Sequence, residues 1–296
     1  MNSPRLNQIL AFPALVLPIL LFSACGSSQA AETSGGSPLA VVTTTALLAD
    51  LAANVGGDLI EVTALVPPGA DVHSFQSTPA DSVAVSRAAL VITNGGGLDR
   101  FLDSMVQGSM SDAAVHVVAA APLLNSEEID PHFWQNPVFA VTYVEVIRDG
   151  LIAADPENAA VYRANFDSYE EKLTKLDFDI ASTLNTVAAP RRHLITFHDA
   201  FGHLAQRYGW ESTALVSSDA SQVSPGPVVS LLQQVRKQGI AAVFAEPQFR
   251  SGLLENAAQE AGVEIGIIYS DVLDGGVASY IDMMLFNAKN MARLLR

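Results

Sequence analysis

One stretch dominates the pattern of apolar and polar positions, residues 155–187. Tyr162, Phe166, Tyr169, Leu173, Leu176, Ile180, Leu184 and Val187 recur at steps of three and four, the spacing of one helical face. Arg163, Asn165, Asp167, Glu170, Glu171 and Lys175 fill much of the other side. Asp155 suits the N-cap, Pro156 the first helical position, and Glu157 the positive end of the helix dipole. Nothing breaks the pattern before Pro190, and a helix of this length spans roughly 45–50 Å. A coiled-coil dimer would show the same stripe. Both flanks, however, alternate short strands with helices, as two α/β domains do. The stretch is therefore expected to be a strut between two lobes, with a site between them.

Before the strut, apolar runs at 39–45, 59–66, 89–94 and 114–120 are rich in Val, Ile and Leu and alternate little. That pattern predicts parallel strands covered on both faces. Helices are expected at 47–55, 79–87, 98–106 and 138–153. After the strut, strands are expected at 193–197, 213–216, 241–245 and 264–270. Helices there are expected at 199–208, 227–237, 251–261 and 279–295, with Gly209, Gly239 and Gly262 closing three of them. The expected fold class is α/β: two lobes, each a mainly parallel sheet flanked by helices, joined by one long backbone helix. The expected division is a leader at 1–24, a tether at 25–38, an N-terminal lobe at 39–154, the linking helix at 155–188 and a C-terminal lobe at 189–296.

Composition narrows the possibilities. With 296 residues, 49% hydrophobic and 16% charged, the chain can build two globular domains. A net charge of −15 disfavours nucleic acid and anionic membrane surfaces as partners and suits a cationic ligand. Cys25 is the sole cysteine, so neither an intramolecular disulfide nor a cysteine metal cluster can form. The first residues have a signal-peptide layout: Arg5, an apolar run at 9–22, then Ser23-Ala24-Cys25-Gly26. Pro13, Pro18 and the short apolar core argue against a permanent transmembrane helix. Leu21-Phe22-Ser23-Ala24-Cys25 resembles a bacterial lipobox, with Phe22 where Leu is commoner. That resemblance makes Cys25 the lipid-carrying N-terminus of an extracytoplasmic protein, followed by a Gly/Ser/Ala-rich flexible tether. An ordinary signal peptide cut near Ala31 is the alternative.

Candidate chemistry gathers at the carboxyl ends of strands, where sheets of this kind bind ligands. His73 and His132 lie in loops of the first lobe, and His198 lies at a strand-to-helix junction of the second. Asp271 and Glu246 also follow strands there. Singly, each histidine reads as a hydrogen-bonded loop residue, and His116, inside a strand, is given no role. Together, three imidazoles and one carboxylate make a tetrahedral zinc-type set. The chain lacks a His-x-x-x-His helix site, an evident Ser-His-Asp arrangement and a phosphate-binding loop, and Gly95-Gly96-Gly97 is read as a plain loop.

Four segments carry a resemblance: Pro68-Gly69-Ala70-Asp71-Val72-His73, Asp130-Pro131-His132-Phe133-Trp134, His198-Asp199-Ala200-Phe201 and Glu246-Pro247-Gln248. With the long central helix, they are similar to the zinc- and manganese-binding solute-binding proteins of bacterial ABC transporters (the cluster A-I family), over residues 39–296. The resemblance implies that His73, His132, His198 and Asp271 ligate the metal. It leaves Glu246 and Asp199 to order the cleft. It implies a lipoprotein that captures Zn2+, with Mn2+ as the alternative, between its lobes. The cargo would pass to an ABC permease, with no chemical step and no nucleic acid. A monomer is expected. Zinc is placed first because His198 stands where the manganese type commonly carries a carboxylate.

The chain also departs from the family. Gln135-Asn136-Pro137 replaces the frequent Leu-Asp-Pro, and 119–128 lacks the His-rich loop of several zinc-type members. His203, five residues after His198, is given no role. Two rival functions remain: a zinc hydrolase, if water replaces Asp271, and a metal-binding surface adhesin.

Overall fold

The computed structural model describes residues 37–124, 130–216, 235–237, 239–249 and 252–296. The expected leader, Cys25, nearly all of the tether and most of the 227–237 helix lie outside the described residues. No described helix is long and apolar enough to cross a membrane.

Two four-stranded parallel sheets form. The first contains β1 (Leu39–Thr43), β2 (Ile60–Ala64), β3 (Leu90–Thr93) and β4 (Val115–Val118), in the order β2-β1-β3-β4. The second contains β5 (His193–His198), β6 (Glu211–Val216), β7 (Ala242–Ala245) and β8 (Glu264–Ile267), in the order β6-β5-β7-β8. Val41 of β1 is in register with Val62 and with Leu90. All four residues of β3 are buried, as near-continuous apolar runs in a covered parallel sheet should be. Neighbours along a strand face opposite sides, so Val41 and Val42 enter different apolar clusters.

The helices of the first lobe are α1 (Ala46–Gly56), α2 (Pro79–Arg87), α3 (Asp103–Ser109) and α4 (Pro137–Ala154). Side chains start several of them. Asp81 accepts the Thr78 N–H at 2.6 Å ahead of α2, and Asn136 Oδ1 accepts the Val138 N–H at 3.0 Å at the start of α4. The linking helix is α5 (Ala159–Leu184). The second lobe carries α6 (Gly202–Tyr208), α7 (Gly252–Ala261) and α8 (Tyr280–Leu295). The closing glycines Gly209 and Gly262 have φ of 69° and 68°, the left-handed conformation that ends a helix without strain.

Four expected boundaries move, each for a local reason. The linking helix does not start at Asp155. The Asp155 N–H still bonds to Leu151, ending α4, and its carboxylate takes the Tyr162 hydroxyl and the Asn158 amide, both at 2.7 Å. A 3-10 turn at Pro156–Asn158 intervenes, leaving 26 residues of α-helix, about 39 Å by its rise. The helix expected at 98–106 begins as a 3-10 turn at Arg100–Leu102, because Asp99 is engaged in holding backbone N–H groups of residues 94 and 95. The helix expected from 199 starts at Gly202, since the Ala200 N–H turns back to the His198 carbonyl. The strand expected to reach Ser270 stops at Ile267. Beyond it the Asn287 side chain, on α8, takes both the N–H and the carbonyl of Tyr269, at 2.9 and 2.7 Å.

All eight apolar residues of the stripe are buried. They pack against α1 and α4 of the first lobe and α8 of the second. The helix is thus a buried spine rather than a free strut. One apolar cluster runs from Val41 and Leu90 through the stripe to Leu194, Phe244 and Met284.

Candidate metal centre

The four sequence candidates converge. One nitrogen each from His73, His132 and His198 and an oxygen of Asp271 all lie within 4.8 Å of one another. The Nε2 atoms of His73 and His132 are each 3.7 Å from an Asp271 oxygen, and Nε2 of His198 is 3.5 Å away. A tetrahedron with ~2.05 Å bonds has edges of ~3.3 Å, so the imidazole-to-carboxylate distances stand a few tenths of an ångström wide of a zinc shell, within a donor set spanning up to 4.8 Å. All three Nε2 atoms and both Asp271 oxygens are buried and, among the described residues, lack hydrogen-bond partners. Leaving five such groups unmatched is costly unless something charged enters among them.

Each donor is held from behind. His73 sits in a 3-10 turn, Val72–Ser74, pinned by buried Val72 and by Asp71 Oδ1, which accepts the His73 N–H at 2.9 Å. His132 is held twice by one oxygen. Asp130 Oδ1 accepts its backbone N–H at 3.0 Å and meets its Nδ1 at 2.7 Å. His198 ends β5 and is also held twice, by Glu246: Oε1 takes the N–H at 3.0 Å and Oε2 meets Nδ1 at 2.6 Å. In both rings Nδ1 is engaged by a carboxylate, so Nε2 is the nitrogen that faces the cluster. Glu246 also accepts from the Ser270 hydroxyl, which itself receives Gln248 Nε2 at 2.6 Å. Asp199, the other candidate for ordering the cleft, is exposed.

Asp271 is aimed by its neighbour. The Ser270 carbonyl accepts Trp134 Nε1 at 2.7 Å and Gln135 Nε2 at 2.8 Å, both from the first lobe. Tyr280 of α8 returns its hydroxyl to the Trp134 carbonyl at 2.6 Å. On the rim, the Gly69 N–H bonds to the Leu273 carbonyl at 3.1 Å, tying the His73 loop to the Asp271 loop. His116 stays apart, with Nε2 2.9 Å from the Thr93 hydroxyl.

The electrostatics of the cluster follow from burial and the neighbouring acids. Burial opposes charge on His198, but the Asp271 and Glu246 carboxylates outweigh it and push its pKa up to about 9. Burial lowers that of His73, the other two imidazoles add to this, and Asp271 offsets part of it. Burial works to raise Asp130, yet the hydrogen bond and charge of His132 hold it below the usual carboxylate value. A divalent cation would replace a proton as the counter-charge of Asp271.

Several of these supports escape a reading of the sequence. Asp130 lies inside a quoted motif without a role there, and the only cue was a carboxylate two residues before a candidate ligand. Gln135-Asn136 reads only as the loss of an acidic group, and the bond from Gln135 to Ser270 needs the tertiary structure. Gln248 lies in a quoted motif without a role there, and Ser270 gives no signal of its own.

The chain is similar to known metal-binding proteins. Residues 41–294 match the family described as zinc-uptake complex component A, periplasmic. The iron-binding protein YfeA of Yersinia pestis is 32% identical, covering 98% of this chain and 98% of that protein. The manganese ABC transporter substrate-binding lipoprotein PsaA of Streptococcus anginosus is 26% identical, covering 94% and 96%. The solved structure of the periplasmic zinc-binding protein TroA from Treponema pallidum superposes with a TM-score of 0.80 at 26% identity, covering 88% and 99%.

Proposed function

The chain belongs to the zinc-uptake complex component A family, and on that premise we propose that it captures a divalent transition metal outside the cytoplasm for import by an ABC permease. The family is one of transport receptors, not enzymes. We assign the metal to His73, His132, His198 and Asp271. The observation that carries this reading is the convergence of five buried, partnerless donor atoms at one point. Zn2+ is the preferred cargo, because three imidazoles suit it and manganese favours more oxygen donors. Mn2+ is the second choice, and the relatives divide among iron, manganese and zinc. The hydrolase alternative finds no support. Four protein donors fill a tetrahedral shell, and Asp130 and Glu246 engage the far sides of the rings rather than a metal-bound water.

Cys25 carries the lipid in this reading, and the protein works as an anchored monomer with lobes at 39–154 and 189–296. The test is native mass spectrometry of protein purified from cells grown with zinc and manganese both present. One zinc per chain is expected. Manganese in its place would overturn the choice of cargo, and a metal-free chain would overturn the receptor. Substituting Cys25→Ala should release the protein from membranes, and continued membrane retention would remove the anchor from the proposal.

A further inference from the structure

The second lobe grips the His132 segment at one more place. His203, on α6, stacks on Phe133 with ring centres 4.4 Å apart and planes at 20°. Its edge meets Phe139 at 5.6 Å. Its Nε2 is 3.0 Å from the backbone carbonyl of Asp130, an acceptor, so this nitrogen carries the proton and donates. The same nitrogen is 3.7 Å from Asp130 Oδ2. The preceding residue matters as well. A Cβ on Gly202 would lie 2.9 Å from Asp130 Oδ2, closer than real contacts allow, so glycine leaves the seat for that carboxylate. Asp130 is thus held against the second lobe while its other oxygen holds both the backbone and the ring of His132.

Packing alone would ask only for an aromatic ring at position 203. A donor aimed at the carbonyl two residues before a candidate ligand is more than packing requires. We propose that His203 is a positioning residue for metal capture. It locks the Asp130–His132 segment of the first lobe to the second, so that His132 meets His198 and Asp271 at bonding distance. This rests on the metal-receptor reading. A cavity of about 390 Å³ adjoins the clasp, lined by Pro122, Leu123, Phe133, Phe139, His203 and Gln206. It gives the imidazole room to swing away when the clasp opens.

The test compares full-length wild type with three variants. His203→Phe keeps the stack and loses the donor. His203→Gln keeps a donor, and Gly202→Ala presses on Asp130 without touching the ring. The readouts are the visible spectrum of the Co2+-loaded protein, the rate of zinc loss to a chelator, and the melting temperature of metal-free protein. His203→Phe should release zinc about tenfold faster and shift the Co2+ bands, the scale typical of losing an outer support of a metal ligand. Its metal-free melting should stay close to wild type. His203→Gln should recover most of the retention, and Gly202→Ala should behave like His203→Phe. Wild-type spectra and release rates in both His203→Phe and Gly202→Ala would overturn the positioning role and leave the receptor intact. A wild type that takes up neither Co2+ nor Zn2+ would bring down both. If His203→Phe does not fold, Gly202→Ala decides alone.

Discussion

In both lobes the strand order reverses between the first and third strands of the sheet, β1 and β3 in one, β5 and β7 in the other. Open α/β sheets bind ligands in that crevice. In the second lobe the crevice holds His198, at the end of β5, and Glu246, just past β7. In the first lobe the matching ends carry Thr44 and Asn94, and the chain closes the gap itself. Buried Asp99 accepts the Thr44 hydroxyl at 2.8 Å and the N–H groups of Asn94 and Gly95. The first lobe's donors come instead from segments after its two edge strands, β2 and β4. Equal topology therefore marks where a ligand can sit in each half. Which residue stands at the strand ends decides whether a ligand or the chain's own carboxylate sits there.

The largest effect expected from this contrast is at the crevices themselves. His198→Ala should weaken zinc binding by about 10³-fold or more, ~4 kcal/mol, in competition titrations, and it also unpairs buried Glu246 in the metal-free protein. Asp99→Ala should act on stability instead. It strands buried N–H groups and should cost about 3 kcal/mol of unfolding free energy, while zinc affinity moves less than about tenfold. An Asp99→Ala protein that keeps its stability and loses its metal would break the comparison.

Next is the spine that both lobes share. Leu173→Ala on α5 should cost about 2–5 kcal/mol by leaving a cavity in the common cluster. Calorimetry should still record a single transition, and separate melting of two lobes would contradict a shared core. Glu246→Gln should weaken zinc by about 10- to 100-fold, since it loosens the support of His198 rather than a ligand. An unchanged affinity would remove Glu246 from the site.

A smaller effect concerns pH. With the metal-free pKa of His198 raised to about 9, this ring is protonated at pH 7 and the metal must displace that proton. Zinc affinity should rise about tenfold per pH unit from ~7 towards 9, while His73, whose pKa burial lowers, should compete only at lower pH. Calorimetry in buffers of different ionisation heat should show close to one proton released per metal near pH 7.5. No release there would contradict the raised value. The smallest change expected is in shape: a buried helical spine should limit the difference between metal-free and metal-loaded scattering to a few ångströms.

Much of the frame was legible because burial and periodicity are local signals. Seven residues of the stripe lie on α5, which ends at Leu184 rather than 188 and leaves Val187 just beyond it; these and the strand cores follow from side-chain spacing alone, and α2 has the bounds expected of it. What was not legible depends on partners distant in the chain. β8 ends early because Asn287, twenty residues after Ile267, takes over the ladder. The start of α5 shifts because Asp155 prefers the Tyr162 hydroxyl to a capping role. The plain-looking glycine run turns with φ of 85°, 64° and 89°, and this backbone path, closed to most residues, lets Asp99 reach back to residues 94 and 95. The three histidines could be named from motifs and Asp271 from its place after a strand, and Glu246 was expected to order the cleft, but Asp130, Gln135 and Ser270 could not be named as supports. A hydrogen bond from Gln135 to Ser270 crosses from one lobe to the other.

His73 differs from its three companions in one respect. Its side chain is 14% exposed, against about 1% or less for the others, and among the described residues its Nδ1 has no hydrogen-bond partner. Solvent thus touches the back of this ring, while its Nε2 is as buried as those of the other two imidazoles. In the proposed metal reading His73 would be the donor nearest the entrance, the ring an arriving ion passes first. Changes at its outer edge would then act on the rate of entry more than on the choice of ion.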